Sequence, residues 1–148
     1  MMKLKIVCEN EKYLPEYANN TDACLDLKVK VENETLGLIA PGMSKKFGTG
    51  IQVAIPEGYV MLVFPRSSTG FKLNCMLGNT TGVIDTGYRD EIMMSLYNYG
   101  DKAVILEDGQ RVAQFMIIPR PKLELVQVED NEEFRKGDRG GGVGSTGK

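Results

Sequence analysis

The sequence predicts an all-β domain of short strands, of the sandwich, jelly-roll or barrel type, followed by a glycine-rich tail. Two observations carry that reading. Short apolar or alternating runs recur between turn signals, at the spacing of about 8–12 residues expected of such folds. No segment of helical length carries an apolar stripe at the 3.6-residue period. The chain has 148 residues, which suits one domain able to bury its own core. Its 42% hydrophobic and 26% charged residues are the balance of a soluble protein, and a net charge of -2 points to no broad attraction to nucleic acid or membrane.

The elements follow in chain order. "LKIVCE" opens as a strand and lacks the apolar core of a signal peptide, so the expectation is a soluble, cytoplasmic protein. "KFGTGIQVAI" (46–55) and "GYVMLVF" (58–64) read as strands separated by Pro56-Glu57-Gly58. A short helix after Pro65-Arg66-Ser67-Ser68 is expected, because serine is a favoured N-cap. "EIMMSLYN" (91–98), "AVILE" (103–107), "RVAQFMII" (111–118) and "LELVQV" (123–128) complete the strands, with Met93 and Met94 straddling a sheet. The last fourteen residues, "RKGDRGGGVGSTGK", hold six glycines and cannot offset their ordering entropy alone, so a mobile arm is expected.

The chemistry is narrowed by what is missing. The chain has no histidine, which removes Ser-His-Asp triads, Cys-His pairs, HExxH sites and the histidine-containing zinc site of nucleobase deaminases. Its three cysteines, Cys8, Cys24 and Cys75, are dispersed and read as reduced thiols. Carboxylates, arginines, hydroxyls and amides remain. "PRSSTGFK" (65–72) sets an arginine and two hydroxyls at a strand end, a set suited to an oxyanion, though also to a capped turn with a solvated arginine. In "GQRVAQF" (109–115), Arg111 and Gln114 stand three apart and are expected on opposite faces of a strand. In "NTTGVIDTGYRDE" (79–91), a carboxylate follows a Val-Ile pair and an aromatic ring follows three residues later.

Together and in this order the patches resemble the homotrimeric dUTP diphosphatase family along nearly the whole chain. "DACLDLKV" (22–29) is similar to its first motif, "PRSSTGFK" to the second, "GNTTGVIDTGYRDEI" (78–92) to the third, "GQRVAQ" to the fourth and "DRGGGVGSTG" (138–147) to the fifth. The resemblance implies a distorted jelly-roll β-barrel over residues 1–137, a flexible arm over 138–148, and a trimer whose sites are shared between subunits. It implies hydrolysis of dUTP to dUMP and pyrophosphate, which removes dUTP from the nucleotide pool and supplies dUMP for thymidylate synthesis. A hairpin formed by the third motif would hold uracil, with Asn79, Gly82, Val83 and Ile84 around the base.

In this resemblance Asp85 activates the attacking water and Tyr88 lies against the deoxyribose. Arg66, Ser67, Ser68 and Gln114 serve the phosphates, and Arg139, Val143, Gly144 and Ser145 belong to the closing arm. Mg²⁺ would arrive on the triphosphate; Asp26 either meets it through water or pairs with an arginine. The chain departs from the family pattern at Cys24, Ser68 and Gly87, in a shorter fifth motif, and at Val143, where the family carries an aromatic over the base. Two other readings stand beside this one. A dCTP deaminase shares the fold and a related Pro-Arg-Ser-Ser motif. A regulatory protein of the kind some phages encode would use the same fold to sequester a partner, and would place the chain in a host cytoplasm.

Overall fold

The structure, a computed structural model, describes residues 2–138 and Gly140. In chain order it contains β1 (Lys5–Cys8), a 3-10 turn at Glu11–Tyr13, β2 (Leu25–Lys28), α1 (Glu34–Gly37), β3 (Leu38–Ile39), β4 (Ser44–Gly48), β5 (Ile51–Ala54), β6 (Tyr59–Pro65), α2 (Ser67–Phe71), β7 (Cys75–Leu77), β8 (Gly82–Ile84), β9 (Met93–Asn98), β10 (Val104–Ile105) and β11 (Arg111–Pro119). The strands form a four-stranded sheet in the order β2-β11-β6-β8, a three-stranded sheet β4-β9-β7, and the pairs β1-β5 and β10-β3. Every paired ladder is antiparallel. The all-β expectation is met. No helix among the described residues is long and apolar enough to cross a membrane.

One core joins the sheets. Leu27, Ile51, Met61 and Leu96, from four strands, and Val112 and Phe115, both from β11, are buried in it. Alternation is clear in β9, where Met94, Leu96 and Asn98 point inward and Met93 stays exposed. Asn98 is fully buried and its amide is satisfied: Nδ2 donates to the carbonyls of Ile39 and Lys102, at 3.0 and 2.8 Å, and Oδ1 accepts from the Gly100 N–H. A buried amide without such partners would cost about 1–3 kcal/mol.

Three expectations are corrected. "KFGTGIQVAI" is two strands, β4 and β5, broken at Thr49-Gly50. Gly50 has φ +67, and a Cβ there would lie 2.5 Å from the Tyr13 ring, so the chain turns where only glycine fits. "LELVQV" forms no strand within this chain. The ladder stops at Pro119; Arg120 N–H donates to the Gly58 carbonyl at 2.7 Å, and Pro121 has no N–H with which to continue it. Leu125 is consequently 93% exposed and Leu123 77%. The helix α2 does not use a serine cap: Arg66 occupies that position, with no side-chain capping bond, and Ser67 is the first helical residue. Strands β2, β3 and β7 were not expected as strands, and β8 was expected only through the hairpin of the third motif; each is four residues or fewer.

Candidate active site

The phosphate-side residues are gathered by an irregularity in β11. Arg111 pairs with Lys28, Ala113 with Leu27 and Gln114 with Asp26, so the register slips by one between Arg111 and Ala113. This bulge cancels one step of the side-chain alternation. Val112 and Ala113 are both buried as a result, and Arg111 and Gln114 share the face that carries Asp26. The expectation that they lie on opposite faces is corrected, because it assumed a regular strand.

Asp26 is 5% exposed and both its oxygens are taken by arginines. Oδ1 forms an ion pair with Arg66 Nε at 2.7 Å, and Oδ2 accepts from Arg111 Nη1 at 3.2 Å. The backbone of the bulge anchors the turn into α2. The Val112 carbonyl accepts from Arg66 N–H and from the Thr69 hydroxyl, and the Arg111 carbonyl accepts from Arg66 Nη1. Gln114 Nε2 donates to the Pro65 carbonyl at 3.1 Å. Ser67 keeps its hydroxyl at the surface because no cap claims it.

These groups open on a pocket of about 370 Å³, lined by Cys24, Asp26, Arg66, Ser67 and Gln114. Its remaining wall is Asp22 and Ala23, which open the first motif, and Ala18, which no sequence pattern singled out. Burial first, and then the charge of Asp26, push the Cys24 thiol above its ordinary range, so it stays protonated and offers no nucleophile. Ser68 does not line this pocket; its carbonyl serves as acceptor for the N–H groups of Lys72 and Leu73.

The second group flanks β8, the edge strand of the same sheet. Residues 78–81 turn a corner between β7, which pairs with β9, and β8, which pairs with β6. The third motif is therefore a turn, a three-residue strand and a second turn, which close the antiparallel pair β7-β9 while β8 itself joins the other sheet. Asn79 is exposed at this corner, and Thr80 adopts φ +61, unusual for a β-branched residue. Gly82 is buried so tightly on β6 that a Cβ would lie 3.1 Å from Val63 Cβ. Ile84 packs on the core while Val83 is 60% exposed, so only one of the Val-Ile pair anchors the strand.

Asp85 is exposed, in a turn closed by Tyr88 N–H donating to the Asp85 carbonyl. The Thr86 hydroxyl ties that turn to the Tyr59 carbonyl at 2.9 Å. Tyr88 packs on the core edge and donates its hydroxyl to the Glu91 carbonyl. Ile84 pairs with Met61, which sets Asp85 level with Val60, whereas Arg66 follows Pro65. Along a strand rising about 3.3 Å per residue, the six steps from Val60 to Arg66 are roughly 20 Å. One chain thus brings Asp26, Arg66, Ser67 and Gln114 together and holds Asp85 and its turn apart from them, while Asn79 lies before Gly82, which pairs with Val63 toward the Arg66 end of β6. Arg139, Val143, Gly144 and Ser145 lie outside the described residues.

Fold and site define a class: an all-β protein that offers an oxyanion a guanidinium, a hydroxyl and an amide in one pocket, and presents a water-exposed carboxylate beside a tyrosine on a neighbouring strand. The comparisons narrow it. The dUTPase family profile matches residues 10–147. The deoxyuridine 5'-triphosphate nucleotidohydrolase of Alcanivorax borkumensis is 40% identical over 136 residues, covering 91% of this chain and 88% of that protein. That of Clostridium tetani is 38% identical over 147 residues, covering 99% and 97%. Among solved structures, the Staphylococcus bacteriophage 80alpha dUTPase with dUPNHPP is similar with a TM-score of 0.76 and 26% identity, over 89% of this chain and 91% of that one. The chain belongs to the dUTPase family.

Proposed function

We propose that the protein is a homotrimeric dUTP diphosphatase, hydrolysing dUTP to dUMP and pyrophosphate. The observation that carries the reading is the pocket in which Arg66, Ser67 and Gln114 surround the buried Asp26, within a chain that matches the dUTPase family nearly end to end. Arg66 and Ser67 bind phosphate oxygens, with Asp26 holding the guanidinium in place. Asp85 takes a proton from water as the water oxygen bonds to the α-phosphorus; the bond from that phosphorus to the bridging oxygen breaks and pyrophosphate leaves. Asn79 and the backbone at Gly82, Val83 and Ile84 bind uracil, and a pocket of fixed donors and acceptors rejects a wrong base by leaving those groups unpaired. Tyr88 excludes the 2′-hydroxyl by volume.

The roughly 20 Å between Asp85 and Arg66 supports assembly. A nucleotide bound at one subunit's pocket meets the Asp85 turn of a second copy. The exposed Leu123, Leu125, Val126 and Val128 offer apolar surface for such contacts. Residues 138–148 are read as the arm that closes the site, with Arg139, Val143, Gly144 and Ser145 toward the nucleotide. Mg²⁺ fits as a passenger of the triphosphate, since Asp26, with lone pairs beyond its two arginine bonds, can meet it through water; bound there it would neutralise phosphate charge.

Pyrophosphate release with dUTP, dCTP, dTTP and UTP tests the activity, and light scattering tests the trimer. Release confined to dUTP from a particle of three chains is expected. Ammonia release from dCTP, or full activity in a monomer, would overturn the respective part.

A further inference from the structure

Tyr88 is oriented by contacts that lead away from the pocket. Its hydroxyl donates to the Glu91 carbonyl at 2.7 Å, so the ring follows the backbone at residue 91. That backbone is fixed in turn by the Glu91 side chain. Oε1 accepts the Gly50 N–H at 2.7 Å, in the turn between β4 and β5. Lys30 Nζ stands 3.4 Å from the same oxygen and is itself paired with Glu9. The next residue is tied to the same turn from both sides: the Thr49 hydroxyl donates to the Ile92 carbonyl, and Ile92 N–H donates to the Ile51 carbonyl.

The fit leaves little slack. A Cβ on Gly48 would lie 2.3 Å from Glu91 Oε1, and one on Gly50 would strike the Tyr13 ring. Thr49 is fully buried and its hydroxyl is satisfied by Ile92. The turn is therefore rigid, and the Glu91 carboxylate transmits its position to residues 88–92.

We propose that Glu91 is a positioning residue for sugar discrimination. Its carboxylate, held by Gly50 N–H, sets the placement of the Tyr88 ring, so selectivity for deoxyribose is determined partly by the 48–50 turn. The inference rests on the reading of Tyr88 as the sugar-facing ring. It assigns the hydrogen bond, rather than the charge, to that task, because the Gly50 contact is short and linked directly to the Tyr88 acceptor while Lys30 is shared with Glu9.

The test compares kcat/KM for dUTP and UTP in the full chain and in Glu91→Gln, Glu91→Asp, Gly48→Ala and Tyr88→Ala. Glu91→Gln keeps an acceptor for Gly50 N–H and should retain the wild-type ratio. Glu91→Asp is one methylene short of Gly50. Gly48→Ala leaves Glu91 in the sequence but displaces its carboxylate. Both should narrow the dUTP/UTP ratio about tenfold, within the roughly hundredfold that a displacement near 1 Å can cost. An unchanged ratio in both variants, even with a lowered Tm, would reduce Glu91 to a stabilising residue and overturn the proposal. A Gln variant as impaired as the Asp variant would also overturn it, by assigning the effect to charge. If Tyr88→Ala itself leaves the ratio intact, the reading of Tyr88 fails and takes this inference with it; if Tyr88→Ala narrows the ratio and the Glu91 and Gly48 variants do not, the inference alone fails.

Discussion

Replacing Asp26 by asparagine separates two roles for a buried carboxylate beside a phosphate pocket. The substitution keeps one oxygen acceptor and puts an NH₂ donor where the second oxygen was, facing a guanidinium N–H. Charge-assisted hydrogen bonds contribute about 1.5–3 kcal/mol each. The Arg66 ion pair falls within that range, being 2.7 Å long between side chains 25% and 7% exposed. The Arg111 bond belongs at or below the lower end, at 3.2 Å with the side chain 42% exposed, because solvent replaces much of it. One oxygen survives, so the net loss is about 2–3 kcal/mol, or a Tm lowered by about 5–10 °C for a domain of this size. Arg66 then loses its fixed direction toward the phosphates, and kcat/KM should fall by about tenfold to a hundredfold. Pyrophosphate release at varied Mg²⁺ is the assay, repeated with Arg66→Lys and with the double variant. Lysine lacks the guanidinium geometry, so Arg66→Lys should give much of the same loss, and the double variant little more. If instead the losses add fully, or if Asp26→Asn shifts the half-saturating Mg²⁺ with Tm unmoved, the carboxylate acts on the ion rather than on the arginine and the reasoning fails.

Asp85→Asn should lower kcat by about 10²–10⁴ while a non-hydrolysable dUTP analogue still binds, since the amide keeps the shape and loses the base; near wild-type turnover would remove Asp85 from that role. Deleting 139–148 should leave the assembly and its Tm intact and abolish most of kcat/KM. Val143→Phe should tighten binding of the analogue, because stacking an aromatic on a base is worth about 1–3 kcal/mol; equal or weaker affinity by titration would mean that another ring covers uracil. Asp108 gives a pH prediction. Burial alone would raise its carboxyl, but hydrogen bonds from Lys12, the Val31 N–H and the Tyr13 hydroxyl outweigh burial and hold it below the usual 3.8. Its stabilisation is therefore present above that value and lost as pH falls through the lower folded value, so Asp108→Asn should lower Tm at neutral pH and flatten the acid limb of the Tm–pH profile. An acid limb of unchanged slope would refute it.

The long strands were legible because their burial alternates or runs continuously apolar. "GYVMLVF" became β6 and "RVAQFMII" became β11 within a residue or two. The short ones were not. β8 is Gly82-Val83-Ile84, held by a backbone approach to Val63 that only a glycine permits, and glycine ordinarily marks the end of a strand. "LELVQV" failed in the opposite way: its period is that of a strand, but Pro121 separates it from the ladder that β11 could have extended. Local pattern reports what a segment can pair with, and the pairing itself depends on where a free edge lies.

The site shows the same division. Arg66, Ser67, Gln114 and Asp85 were identified by motif resemblance, and Arg111 was expected on the strand face opposite Gln114. The bulge reverses that inference, and it does more than re-aim one side chain. The carbonyls it exposes, those of Arg111 and Val112, are the acceptors that dock Arg66 and Thr69. Had β11 remained regular, Arg111 would face away from Asp26, which would keep a single arginine partner. A bulge leaves one residue of the strand unpaired and weakens the ladder locally. Here the acceptors freed by that disruption are taken up by the α2 turn, and one irregularity places the carboxylate, both arginines and the first residue of the helix. A straightened β11 with every side chain unchanged would retain all five motifs in order and turn Arg111 away from Asp26.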